Sequence, residues 1–232
     1  MALAAAAVFA WVWLLRAPMA AMGVAPLSAA YLVPAFAMWA IMMVAMMVPS
    51  AAPMILLHAR IDKAPTQSQR TRNSMLFALS YLLVWVAFSA SAALAQALLV
   101  SVGHLSNVAL SVGNRLIAAA LLLAAAAYEL TAAKRLCLDK CQSPMLFILK
   151  HWKPGAAGAL RLGLAHGIFC VGCCWALMLL LFVGGVMNLA WVALLAIVVL
   201  GEKFAPPAWH AERYLAAALT AGAAVILYAE YN

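Results

Sequence analysis

The stretch HGIFCVGCCW, from His166 to Trp175, sets one imidazole and three thiols inside a long apolar run. On a helix advancing about 100° per residue, His166, Cys170, Cys173 and Cys174 fall within an arc of about 100°. Gly163 and Gly167 share that side, which leaves room for a neighbouring helix or an ion. The other two of the five cysteines, Cys137 and Cys141, are spaced i, i+4. If one helix runs through both, they share a face about 6 Å apart. The short connection to the next helix then brings the two thiol groups together in an antiparallel pair.

A thiol alone is a tolerable small hydrophobe in a core. A histidine in a membrane segment is more costly and usually faces an interior. Thiolates are costly in apolar surroundings unless a cation lies close, and a bound metal supplies that cation while keeping its ligands deprotonated. The combination therefore points to a metal site, with ordinary packing and thiol redox chemistry as the alternatives. The redox reading is the poorer match. Cys170 and Cys173 do form a C-x-x-C, but inside an apolar span rather than at a helix start beside a βαβ pattern. Adjacent Cys173 and Cys174 could form only a strained bridge.

A second soft-ligand pattern reads AFAMWAIMMVAMMVPSAAPMILL. Met38, Met42 and Met46 follow at i+4, as do Met43 and Met47, with Pro49, Pro53 and Met54 beyond. Methionine fills irregular gaps in apolar helices. Thioethers combined with thiolates also select Cu(I) over harder ions. Met42, Met43, Met46 and Met47 are therefore relay candidates. Glu129 and Glu202 are expected either to pair with Lys134 and Lys203 or to serve as ligand or proton acceptor. His104, His151 and His210 fall in expected loops, as surface residues.

The elements that must position these groups follow from composition. The chain has 232 residues, 69% hydrophobic and 9% charged, where a soluble domain is about half apolar and a quarter charged. Several apolar runs exceed the roughly 20 residues that cross a bilayer. The expected fold is all-α, a single polytopic transmembrane bundle over residues 1–232 with six to seven spans. The expected helices cover 2–22, 35–57, 75–101, 114–136, 159–186, 189–201 and 211–230. Arg16 interrupts the first, which leaves six spans if that helix lies in the interface. No basic region precedes it, so it reads as a helix rather than a removed signal.

The net charge of +8 does not describe a nucleic-acid surface, because the basic residues sit in short loops beside spans. If seven helices alternate, twelve of the fourteen Lys and Arg residues fall on one side and only Arg16 and Arg115 opposite. The positive-inside rule then places the N-terminus in the cytoplasm. The sequence offers no phosphate loop, phosphorylated aspartate or Ser/His/Asp set, so no enzyme is expected beyond the thiol redox option.

The segments CLDKCQSPMLFILKHW, RLGLAHGIFCVGCCWALMLLLFVGGVMNLAW and GEKFAP, with MMVPSAAPMI in the second helix, resemble a bacterial family of predicted metal-binding integral membrane proteins. That family is a domain of unknown function, some of whose members are labelled copper chaperone. The resemblance covers residues 35–205. It implies a multi-pass inner-membrane protein with Cys137, Cys141, His166, Cys170, Cys173, Cys174 and Glu202 as motif positions. Residues and resemblance together predict a Cu(I)-binding protein that delivers copper to a membrane cuproprotein or oxidase-type complex, or moves it across the bilayer. The rival readings are a zinc or structural-metal protein, a membrane thiol–disulfide oxidoreductase, and an accessory subunit whose cysteines only pack.

Overall fold

A computed structural model describes residues 2–16, 24–106 and 110–231, and every regular element among them is helical. In chain order these are α1 (Ala2–Arg16), α2 (Ala29–Ile61), α3 (Gln67–Ser101), α4 (Arg115–Glu129), α5 (Ala132–Gln142), α6 (Pro144–His151), α7 (Gly155–Leu179), α8 (Leu181–Gly184), α9 (Leu189–Phe204) and α10 (Ala211–Tyr231), with a 3₁₀ turn at Pro207–Trp209.

The all-α class holds, but the count of six to seven spans does not. Among the described residues, three segments are long and apolar enough to cross a membrane: Ala29–Ile61, Gln67–Ser101 and Gly155–Gly184. A fourth exists only if α4 and α5 together make one broken span, for they are bent by 66°. The physical reason is visible at each remaining helix. The described part of the first is 15 residues and α9 is 16. At 1.5 Å per residue both fall short of a hydrocarbon core about 30 Å thick. Residues 17–22 of the expected first helix lie outside the described residues. One face of the apolar run of α9, with Val192, Leu195 and Val199, is buried in the protein, while Leu194 and Ile197 face outward. The last helix opens on Glu212 and Arg213. The alternation that placed the N-terminus falls with the count.

The bend between α4 and α5 is built into the chain. The helix stops at Leu130, and Thr131 Oγ1 then accepts from the Lys134 amide at 3.2 Å, capping a new helix in a new direction. Thr66 caps α3 in the same way, and the Asn114 and Asn188 side chains cap α4 and α9.

Helix α3 packs on both α2 and α7, α1 lies on α2, α5 lies on α7, and α4 pairs with α10. The α3–α7 seam is closed by small residues. A Cβ at Gly167 would meet Val84 Cγ2 at 2.8 Å, and one at Gly163 would strike the Phe77 carbonyl and Ser80 Oγ. Without a hydrophobic force between helices in lipid, such close backbone approach is a main source of association. So the room beside Gly163 and Gly167 is taken by a helix, not by an ion. Between α2 and α3 a buried polar ladder runs from Trp39 Nε1 to Gln96 Oε1 at 2.8 Å and from Gln96 Nε2 to Tyr31 Oη at 2.9 Å. Leucines such as Leu79, Leu83, Leu94 and Leu98 face outward on α3.

Candidate functional site

The thiol-bearing face of α7 points inward. Cys170, Cys173 and Cys174 are buried, and so is His166. Helix α5 lies against them, and its i, i+4 cysteines share the contact face. A Cβ at Gly172 would meet Cys137 Sγ at 2.7 Å, which places that sulfur on α7, and Cys141 Sγ lies 3.9 Å from Cys173 Sγ. The two groups of cysteines therefore converge between α5 and α7.

The surroundings of Cys170 are polar and specific. Tyr81 Oη from α3 lies 3.1 Å from its sulfur, and Lys203 Nζ from α9 donates to it at 2.9 Å. The same ammonium donates to Ser50 Oγ at 2.9 Å, and Tyr81 Oη also reaches the Met47 carbonyl at 3.3 Å. Lys203 is 7% exposed. Cys170 and Lys203 thus form a buried, directly hydrogen-bonded pair. Cys173 and Cys174 turn their thiols back to the Cys170 carbonyl, at 3.1 and 2.9 Å.

Above this cluster lies a cavity of about 230 Å³, lined in part by Ser50, Met54, Cys141, His166 and Lys203. His166 stacks on Tyr81 with ring centroids 5.3 Å apart, and its buried Nδ1 has no hydrogen-bond partner. A buried imidazole nitrogen without a partner, beside thiols and a thioether, is a donor set suited to a soft cation. As the side chains stand, no group of three or more His, Cys, Asp or Glu among the described residues is placed to hold a metal ion. Two local arrangements account for that. The Cys173 and Cys174 thiols are satisfied by a backbone carbonyl, and Lys203 Nζ already donates to the Cys170 sulfur.

The remaining expected residues are distributed as follows. Met42, Met43, Met46 and Met47 are all buried in α2, and Met47 meets the cluster through its carbonyl. Glu202 faces away from the sulfurs. It accepts from Lys134 Nζ at 2.8 Å on both oxygens, and Lys134 also bonds Glu129. The expected Glu129–Lys134 pair is present, whereas Lys203 does not pair with Glu202. Neighbours in a helix point about 100° apart and cannot face one partner. His104 and His210 are exposed, and His151 is half-buried, stacked on Phe147.

Tyr81, Lys203, Ser50 and Met54 complete the site and were not named as site residues from sequence. Met54 carried a signal, being one turn beyond Ser50 on the methionine helix. Lys203 carried one as well, being a lysine at the end of an apolar run with no carboxylate a turn away.

Residues 36–226 match the model of a family described as copper chaperone. No curated protein matches the chain, and no solved structure does.

Proposed function

The chain belongs to the copper-chaperone family, and from that premise we propose that it takes a single Cu(I) ion into the cavity between α5, α7 and α9 and hands it to a membrane cuproprotein. The observation that carries this reading is the approach of Cys141 Sγ to within 3.9 Å of Cys173 Sγ beside a cavity that His166 and Met54 also line. In this reading Cys141, Cys170 and Cys173 are the principal ligands. Cys174 and His166 complete or exchange with them, and Cys137 holds α5 on α7. Small rotations of the Cys141 and Cys173 side chains would bring their sulfurs within about 2.3 Å of a shared ion.

Lys203 has a defined part in this reading. Before copper arrives its ammonium neutralises Cys170. A Cu(I) ion entering beside Cys170 takes over that charge, and the ammonium, still held by Ser50, balances a second thiolate formed as the Cys141 thiol releases its proton. Charge in the buried cluster then stays nearly constant, which avoids the cost of an unpaired ion in a low-dielectric interior. Met42, Met43, Met46 and Met47 form the apolar soft wall along α2 that favours Cu(I) over harder ions.

The test is an anaerobic Cu(I) titration of detergent-purified protein against a chromophoric competitor, with zinc in a parallel arm. The expected result is one Cu(I) per chain, lost in a Cys141→Ser, Cys173→Ser variant, and no displacement of copper by zinc. Equal copper uptake by wild type and variant would refute the assignment, and retention of zinc against copper would transfer the site to the zinc reading.

A further inference from the structure

Below the cavity, α2 continues the row that contains Ser50 and Met54. At the same i, i+4 spacing it next presents His58 and then Asp62. His58 is 2% exposed and is held between the rings of Phe77, at 5.2 Å, and Trp152, at 5.5 Å. Phe77 also stacks on His166 at 6.1 Å. One phenyl ring therefore separates the imidazole of the cavity from a second, equally buried one. His58 Nδ1 has no hydrogen-bond partner, and neither has Asn73 Oδ1, although Asn73 is 2% exposed. Asn73 Nδ2 donates to Asp62 Oδ2 at 2.8 Å. Asp62, Asn73 and Trp152 in turn line a surface pocket of about 660 Å³, whose rim carries Lys63 and Arg72.

Buried polar atoms are rarely left without partners, and each exception calls for an explanation. Here one orphaned atom, Asn73 Oδ1, lies at the wall of an opening to the surface beside the Asp62 carboxylate, and a second, His58 Nδ1, lies one aromatic ring from the copper cavity. A neutral imidazole nitrogen with a free lone pair is a good Cu(I) ligand. A thioether one turn before it and a carboxylate one turn after it continue the series toward water.

We propose that His58 Nδ1 is a second copper ligand, a station on the route between the buried cavity and the Asp62 pocket. It takes a monovalent soft ion that has left, or has yet to reach, Cys141 and His166. The proposal takes its cargo from the reading above, but its ligand is separate from the cysteines.

The test uses full-length protein with ¹⁵N-histidine in micelles and Ag(I) as the redox-inert stand-in for Cu(I). The side-chain Nδ1 resonance of His58 reports this station, and silver–thiolate absorption reports the cysteines. Movement of the His58 Nδ1 line to a metal-bound position, retained in a Cys141→Ser, Cys170→Ser, Cys173→Ser, Cys174→Ser variant, is the expected result. Silver–thiolate absorption with an unmoved His58 line in wild type would overturn the station and leave the cysteine site standing. A moved His58 line without thiolate absorption would keep the station and overturn the cysteine site. If neither signal changes, both fail, and the orphaned atoms of His58 and Asn73 are explained by bound water.

Discussion

Replacing Lys203 by leucine tests the charge exchange at the cluster most directly. Leucine keeps apolar volume at the end of α9, removes the ammonium and adds no soft ligand. The lost contacts are Nζ to Cys170 Sγ and Nζ to Ser50 Oγ, each 2.9 Å. Removing one partner of a buried charge pair costs about 3–5 kcal/mol. Uptake of a proton by the stranded sulfur relieves part of this, which leaves about 3 kcal/mol. For a chain of this length 1 kcal/mol moves the unfolding midpoint by about 2–4 °C, so the metal-free variant should unfold about 6–12 °C below wild type. The eight tryptophans give the signal in a detergent melt. With Cu(I) bound under anaerobic conditions the ion supplies the missing charge, and the gap should shrink to less than half. Lys203→Arg, which keeps the cation, should stay close to wild type in both states. A metal-free Lys203→Leu melt indistinguishable from wild type would show that no buried charge depends on Lys203. A gap unchanged by copper would show that the ion does not take the ammonium's place.

Gly163→Val drives a side chain into the Phe77 carbonyl and should lower stability by about 3 kcal/mol, read as loss of a monodisperse peak and a lower melting midpoint. Lys134→Met strands the carboxylates of Glu129 and Glu202 in the interior at a cost of about 3–5 kcal/mol. Adding Glu202→Gln should recover part of that loss in the same melt. A mild thiol oxidant should link Cys141 to Cys173, whose sulfurs start 3.9 Å apart, in preference to Cys170 and Cys173 on one helix. Peptide mapping identifies the bridge, and prior loading with Ag(I) should suppress it.

Much of the site was legible in sequence because helical periodicity is a local property. The positions of His166, Cys170, Cys173 and Cys174 define a face whatever the rest of the chain does, and all four prove buried. The meeting of Cys141 with Cys173 followed from a short connection. The Glu129–Lys134 contact was expected from a separation of about one turn, but the structure makes it across the break at Leu130 and Thr131. What sequence did not show depended on tertiary contacts or on length. Lys203 reaches Cys170 across helices, and nothing in its neighbourhood along the chain announces a thiol as its partner. Tyr81 sits in an apolar run where a single polar residue has no periodic signature, and His58 falls just past the expected helix 35–57, which the structure extends to Ile61. The number of spans failed because apolar content does not tell lipid from protein interior. The run 189–201 is as hydrophobic as a span yet belongs to a 16-residue helix, and Thr131 breaks what reads as one continuous segment.

The glycine seam has a mechanical consequence. With Gly163 and Gly167 pressed against the backbone of α3, α7 can neither roll nor slide without a steric collision, so the sulfurs it carries are fixed furniture. Helix α5 is held by side chains instead, with Cys137 against Gly172 and Lys134 between Glu129 and Glu202. It is an 11-residue arm, set at an angle to α4 by the break at Leu130 and Thr131, and it bears Cys141 as its one sulfur at the cavity wall. If an ion passes through the site, these side-chain contacts of α5 can give before the backbone seam of α7 does, and substitutions that stiffen Leu130–Thr131 would tell on the speed of exchange rather than on how tightly an ion is held.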